Sequence, residues 1–250
     1  MTPEELLWMM SAGLATGLGG LALLAARSPS ERVVDGLLGF TAGVMLAATS
    51  FSLLVPGFDR GAAWEVLLGF GLGAVALALL DRFVPHAHAR LAERGHVPVD
   101  RVAEHRRAAL LVSALTIHNI PEGMAVGLAF AAGGTELGLP VALAIGIQNI
   151  PEGFAAGAAL LQAGVRPRAA ALAGFLTGIV EPPAALAAFF AFEFADTFLA
   201  GGLGFAAGAM LYVVCDELIP ESHGRGHEQI ATAALIVGFA LMMGLDTSLG

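Results

Sequence analysis

Charged residues in this sequence are gathered into short intervals that separate long apolar stretches. Leu6–Ala26, Gly36–Phe58 and Val66–Leu80 carry no charge at all. Ala108–Ala132, Leu137–Val165, Ala169–Phe192, Thr197–Cys215 and Gln229–Leu245 carry at most one charged residue each. Crossing a hydrocarbon core takes about 20 apolar residues as a helix. In lipid, only helices and closed barrels satisfy every backbone polar group. The Ala/Leu/Gly content, with little β-branched alternation, suits helices. The spacing therefore predicts an all-α membrane protein with eight transmembrane helices, residues 1–250 forming a single transmembrane domain. Only 13% of the chain is charged, against about 25% in soluble domains. A soluble α/β enzyme, a disordered chain and a nucleic-acid binder are excluded. One cysteine excludes a disulfide framework or a Cys-rich zinc module. Met1–Leu7 is acidic and lacks a basic n-region, so the first stretch reads as a retained helix.

Arginine placement sets the orientation. With the N-terminus outside, the inner loops hold Arg27, Arg32, Arg82, Arg90, Arg94, Arg101, Arg106, Arg107, Arg166, Arg168 and Arg225, and the outer loops hold Arg60 alone. This positive-inside bias places both termini outside the cytoplasm. Residues 84–107, between spans three and four, form a cytoplasmic loop containing His86, His88, His96 and His105. It reads first as a solvated linker, and second as a metal-buffering segment. All basic residues are Arg, which points to a GC-rich bacterium and hence to its inner membrane.

A repeat carries the chemistry. Ile117-His118-Asn119-Ile120-Pro121-Glu122-Gly123 recurs 30 residues later as Ile147-Gln148-Asn149-Ile150-Pro151-Glu152-Gly153. Each copy lies about ten residues into its span, about 15 Å deep, half of a core about 30 Å thick. The copies should meet on neighbouring antiparallel helices. A third acid, Glu181, lies inside the next span, before Pro182 and Pro183. One charge at this depth costs at least about 2.5 to 3.5 kcal/mol, and no Arg or Lys lies within these spans. A mobile cation or a proton must supply the missing positive charge. Residues i and i+4 share a helix face, so His118 pairs with Glu122 and Gln148 with Glu152. Imidazole, carboxylate and amide oxygen suit Zn²⁺, Fe²⁺, Mn²⁺ or Cd²⁺ better than Cu⁺ or Ca²⁺. Pro121 and Pro151 also free the carbonyls of Ile117 and Ile147 beside this cluster.

These segments resemble the ZIP (Zrt/Irt-like) family of divalent metal transporters, in its prokaryotic branch. The resemblance covers the spans, the inner loop and the end of span seven, Val214-Cys215-Asp216-Glu217-Leu218-Ile219-Pro220-Glu221. It implies a 3+2+3 inverted-repeat bundle, with spans four and five between two triplets. It implies a binuclear centre: His118, Glu122, Gln148 and Glu152 at one site, and Asn119, Asn149 and Glu181 at the other, bridged by Glu122 and Glu152. It implies uptake into the cytoplasm by a sliding motion, no prosthetic group, and divalent ions, lipid and, as dimers are common in the family, a second copy of the chain as partners. Some members carry Asp at Asn149, His at Gln148 and His at Asp216, so the second site is expected to be the weaker. Asp216 and Glu217 are expected to form an exit path. Ser50, Ser52 and Pro56 suit an entrance or plain packing, and His223 and His227, just beyond the exit, suit a solvated loop first and a metal-receiving pair second. Gly123, Gly127, Gly153 and Gly157 would permit the close contact that spans four and five need to slide against their neighbours. An intramembrane zinc enzyme is a weaker reading, because no HExxH is present. A metal-independent proton-coupled carrier predicts that His118→Gln is silent.

Overall fold

A computed structural model of the chain describes residues 1–26, 29–83, 101–193 and 198–249, and the elements among them are helical. Their ends follow local chemistry. The first helix, α1 (Pro3–Leu14), opens on a capping box: the Thr2 hydroxyl accepts the amide of Glu5, and the Glu5 carboxylate accepts that of Thr2. After a break at Ala15 it continues as α2 (Thr16–Ala25). α3 (Glu31–Ala47) runs through a π-helical stretch, Ala48–Leu54, into the short α4 (Val55–Arg60). α5 (Ala63–Phe83) is uninterrupted. α6 spans Arg101–Gln162. α7 (Pro167–Thr177) leads through the 3₁₀ turn Gly178–Val180 into α8 (Glu181–Glu193). α9 (Leu199–Val213) continues as the π-helical Val214–Leu218 and the short α10 (Ile219–Ser222). α11 (Glu228–Leu249) closes the chain.

Seven helical runs among the described residues are long and apolar enough to cross a membrane. One of them, Leu115–Gln162, has 48 residues. As a straight rod it would measure about 72 Å, more than twice a bilayer core. It is not straight. Gly134 has φ 56° and ψ −139°, a conformation open essentially to glycine, and Gly133 beside it is also non-helical. Gln148 Nε2 donates to Glu122 Oε1 at 2.8 Å. On a continuous helix these residues would stand about 39 Å apart, so the chain doubles back at Gly133–Gly134 and the arms of α6 run antiparallel. The two motifs meet as expected.

The helices form two groups. α3, α4 and α5 pack with α9, α10 and α11, chiefly as α5 on α9 and α3 on α11. α1 and α2 pack with α6, α7 and α8. Glycine makes these contacts close. A Cβ on Gly43 would lie 1.9 Å from the carbonyl oxygen of Leu235, and one on Gly73 2.0 Å from that of Phe205. In the other group, Cβ atoms on Gly127 and Gly153 would lie 2.0 and 2.2 Å from the carbonyl oxygens of Ala185 and Thr16. Every glycine packed this tightly onto a neighbouring helix's backbone does so within its own group. Between groups the tight glycine contacts are to side chains, such as Gly202 against Phe192. Gly123, Gly127, Gly153 and Gly157 make the close contacts expected of them, with α2, α7 and α8.

Two sequence boundaries move. The seventh apolar stretch stays helical beyond Cys215, through Ser222, so Asp216 and Glu217 sit inside a π-helical segment. In the loop expected over residues 84–107, Arg101 already begins α6; residues 84–100, with three of the four loop histidines, lie outside the described residues.

Candidate metal site

The Pro121 and Pro151 motifs set four polar side chains on the facing surfaces of the two α6 arms. His118 is 4% exposed, Glu122 and Gln148 0%, and Glu152 1%. Helical i, i+4 spacing stacks His118 with Glu122 and Gln148 with Glu152. The Gln148–Glu122 hydrogen bond joins the arms. His118 reaches across to the other helix group, with its Nε2 2.7 Å from Glu217 Oε1. Thr41 on α3 donates to the carbonyl of Gln148 at 3.4 Å.

Asn119 and Asn149, one residue further along, face α1 and α8. Glu181 begins α8 directly after the 3₁₀ turn, buried at 1% exposure. Its Oε1 accepts from Asn119 Nδ2 at 3.1 Å and from the Thr16 hydroxyl at 3.4 Å. Its Oε2 accepts from Asn149 Nδ2 at 2.8 Å. Asn149 Nδ2 also donates to the Ala12 carbonyl at 2.9 Å. Both partners of that amide nitrogen are acceptors, which fixes the amide's orientation and turns Oδ1 away from them. Thr16 and the Ala12 carbonyl were not singled out in the sequence. A lone threonine in an apolar span carries no signal, and a backbone carbonyl carries none.

Several polar atoms in this region lack a partner. Asn119 Oδ1, Glu122 Oε2, Gln148 Oε1, Asn149 Oδ1 and Glu152 Oε2 are buried acceptors without a donor, and His118 Nδ1 is unpartnered as well. Buried polar atoms are ordinarily satisfied, and each exception calls for a cause. Among the described residues no Arg side chain is paired with these atoms and no other group donates to them. Among the described residues, no three His, Cys, Asp or Glu side chains converge closely enough to enclose a metal. An ion held here therefore needs the amide oxygens of Gln148 or the asparagines besides the carboxylates.

The remaining sequence candidates are divided between the pocket and other places. Glu217 stands beside His118, at the pocket itself, while Asp216 is exposed. Ser52 donates to Asp246 at 2.6 Å, whereas the Ser50 hydroxyl returns to its own helix at Leu46. Asp35, fully buried on α3, binds Arg225 Nη1 at 2.6 Å and His227 Nδ1 at 2.9 Å, so His227 is held in a structural tie. That tie was not foreseen, because Asp35 precedes the apolar stretch and reads as an ordinary flanking charge.

Fold and site together define an integral, all-helical membrane protein with an acid-bearing polar pocket closed among its helices. Comparison with known proteins places it more narrowly. The family described as ZIP zinc transporter matches residues 100–246, and the chain belongs to the ZIP family. The zinc transporter GufA of Myxococcus xanthus is 44% identical over 248 residues, 96% of each chain. The zinc transporter ZIPB of Bordetella bronchiseptica is also 44% identical, over 94% of this chain and 78% of its own. The zinc transporter ZIP11 of Homo sapiens is 33% identical over 94% of both. The family is one of transporters, not enzymes.

Proposed function

We propose that the protein carries divalent transition-metal ions, zinc foremost and also iron, manganese and cadmium, across a bacterial inner membrane into the cytoplasm. The carrying observation is the set of buried oxygen acceptors without donors on Glu122, Gln148, Glu152, Asn119 and Asn149. A dication satisfies such a set and neutralises its carboxylates, whereas a neutral organic solute supplies donors but no charge. His118, Glu122, Gln148 and Glu152 take the first ion, shedding its water into the cleft between the α6 arms. Asn119, Asn149 and Glu181 form the second, weaker site, since Glu181 is already held by three donors. Glu217 receives the ion from His118 on its way inward, with Asp216 beyond it.

Counting the two α6 arms separately supports eight crossings, an even number that leaves both termini on one side, and the arginine bias favours the outside for that side. Matching interruptions support a 3+2+3 inverted repeat. The first span breaks at Ala15 and the sixth at Gly178–Val180. Spans two and seven each carry a π-helical stretch followed at once by a proline in a short helix, Pro56 and Pro220. α5 and α11, the third of each triplet, are uninterrupted. The moving unit is the whole group of α1, α2, α6, α7 and α8, sliding against α3–α5 and α9–α11.

The test is metal-dependent thermal stabilisation of the purified protein, paired with uptake into proteoliposomes. Wild type gains stability with Zn²⁺ in proportion to the logarithm of its concentration above Kd. Glu122→Ala inserts normally and loses both responses. Zinc uptake by Glu122→Ala at the wild-type rate would refute the site, and a silent His118→Gln would favour a metal-independent carrier.

A further inference from the structure

Outside the polar pocket, the face of α1, α2 and α7 turned away from it is hollowed into a furrow of about 390 Å³, within the range of small-ligand sites. Its wall is Leu14, Leu18, Leu21 and Leu24 on one side and Leu172 and Phe175 on the other. The floor is low because Gly17 and Gly20 carry no side chain and lie tight against α7. A Cβ on either would come within 2.4 Å of Phe175 or of the Ala171 carbonyl oxygen. Among the described residues one polar side chain lines the furrow, that of Arg168, in the first turn of α7.

Arg168 differs from the arginines that have work inside the fold. Arg225 is committed to Asp35 and Glu221, and Arg60 to the carbonyls of Ala132 and Pro56. Arg168 is exposed and has no hydrogen-bond or ion-pair partner among the described residues. It lies at the end of the furrow where the positive-inside bias puts the inner leaflet's headgroups, beside Arg166 and the open amides of the α7 N-terminus, which has no side-chain cap. An apolar trough lined by leucines and Phe175, with Arg168 unpaired among the described residues, complements one ligand class: a phospholipid with a net negative headgroup. Basic pockets between helices on the cytoplasmic side bind such headgroups.

We propose that this furrow binds an anionic phospholipid of the inner leaflet, one acyl chain lying along Gly17 and Gly20 and the phosphate on Arg168. The site is distinct from the metal pocket and does not depend on what the pocket carries. It lies behind the helix segment whose Thr16 hydroxyl donates to Glu181, so the bound lipid braces the back of the polar centre.

The experiment exposes the full chain in detergent to an equimolar mixture of phosphatidylglycerol and phosphatidylcholine and reads retained lipid by native mass spectrometry. One guanidinium contributes a preference of about fivefold for phosphatidylglycerol over phosphatidylcholine. Arg168→Gln removes that preference, Arg168→Lys keeps it, and Leu21→Trp, which fills the trough, lowers retention of both lipids. Each protein is first shown to be a folded monodisperse species. Equal retention of the two lipids by the wild type, or an undiminished preference in Arg168→Gln, overturns the proposal.

Discussion

At the scale of single residues, Asn149 is where this chain departs most tellingly from a charged ligand. Its amide nitrogen bridges Glu181 and the Ala12 carbonyl, a bond pattern that a carboxylate cannot reproduce. Asn149→Asp therefore leaves the Ala12 carbonyl unpaired and sets a second carboxylate against Glu181, at a cost of about 2 kcal/mol without metal. A dication reverses that repulsion. The variant should melt below wild type in chelator and show the larger zinc-induced rise, both read from one set of thermal melts; an unchanged zinc response would mean that the second cluster holds no metal. The motif residues of this centre were legible because a Pro-Glu pair repeated in apolar sequence has few other uses. Thr16 and the Ala12 carbonyl were not, since they join through contacts more than 100 positions away in the chain. The meeting of His118 with Glu217 was hidden for the same reason: the two are brought together by helix packing, and spacing along the chain says nothing of it.

At the scale of helices, glycine decides which neighbours are fixed. Gly127 on α6 faces the Ala185 carbonyl of α8 so closely that any side chain must force the two helices apart. Gly127→Ala should cost about 1 to 3 kcal/mol as overpacking. Gly71 on α5 meets nothing within 4 Å, and Gly71→Ala should be neutral or gain up to about 1 kcal/mol of helix propensity. Thermal unfolding in detergent checks both; equal melting temperatures for the two variants would contradict the packing. Charge gaps revealed where the helices are, and the polar interval holding Gly133 and Gly134 marked where α6 would turn. The π-helical stretches were not legible. They add one residue to a turn, and over five to seven residues the few polar positions, Thr49, Ser50, Ser52, Asp216 and Glu217, are too short a pattern to reveal the shift. Nor could sequence say which partner each small residue meets.

For the whole molecule, the distribution of close contacts argues for two bodies meeting at a smoother seam. His118, Gln148 and Thr41 touch across that seam, whereas Asn119, Asn149, Thr16 and Glu181 belong to one body. The first cluster would thus be opened or closed by relative motion, while the second would travel intact. Val44, Ala47, Ala48 and Met242 of one body form a buried cluster with Ala144 of the other. Cysteines at Ala48 and Ala144, in a Cys215→Ser background, are to be joined there by a bis-methanethiosulfonate, which links each thiol through a disulfide that reduction cleaves. The matching pair within one body replaces Phe51 and Phe239, whose rings lie 6.0 Å apart. Joining the first pair should stop zinc uptake into proteoliposomes, and reduction should restore it. Joining the second should leave uptake near its starting rate, because those helices keep their contact throughout. Unimpaired transport with the Ala48–Ala144 pair fully joined would mean that the ion crosses without any sliding of one body on the other. The pocket would then have to open through local movements of the two α6 arms alone.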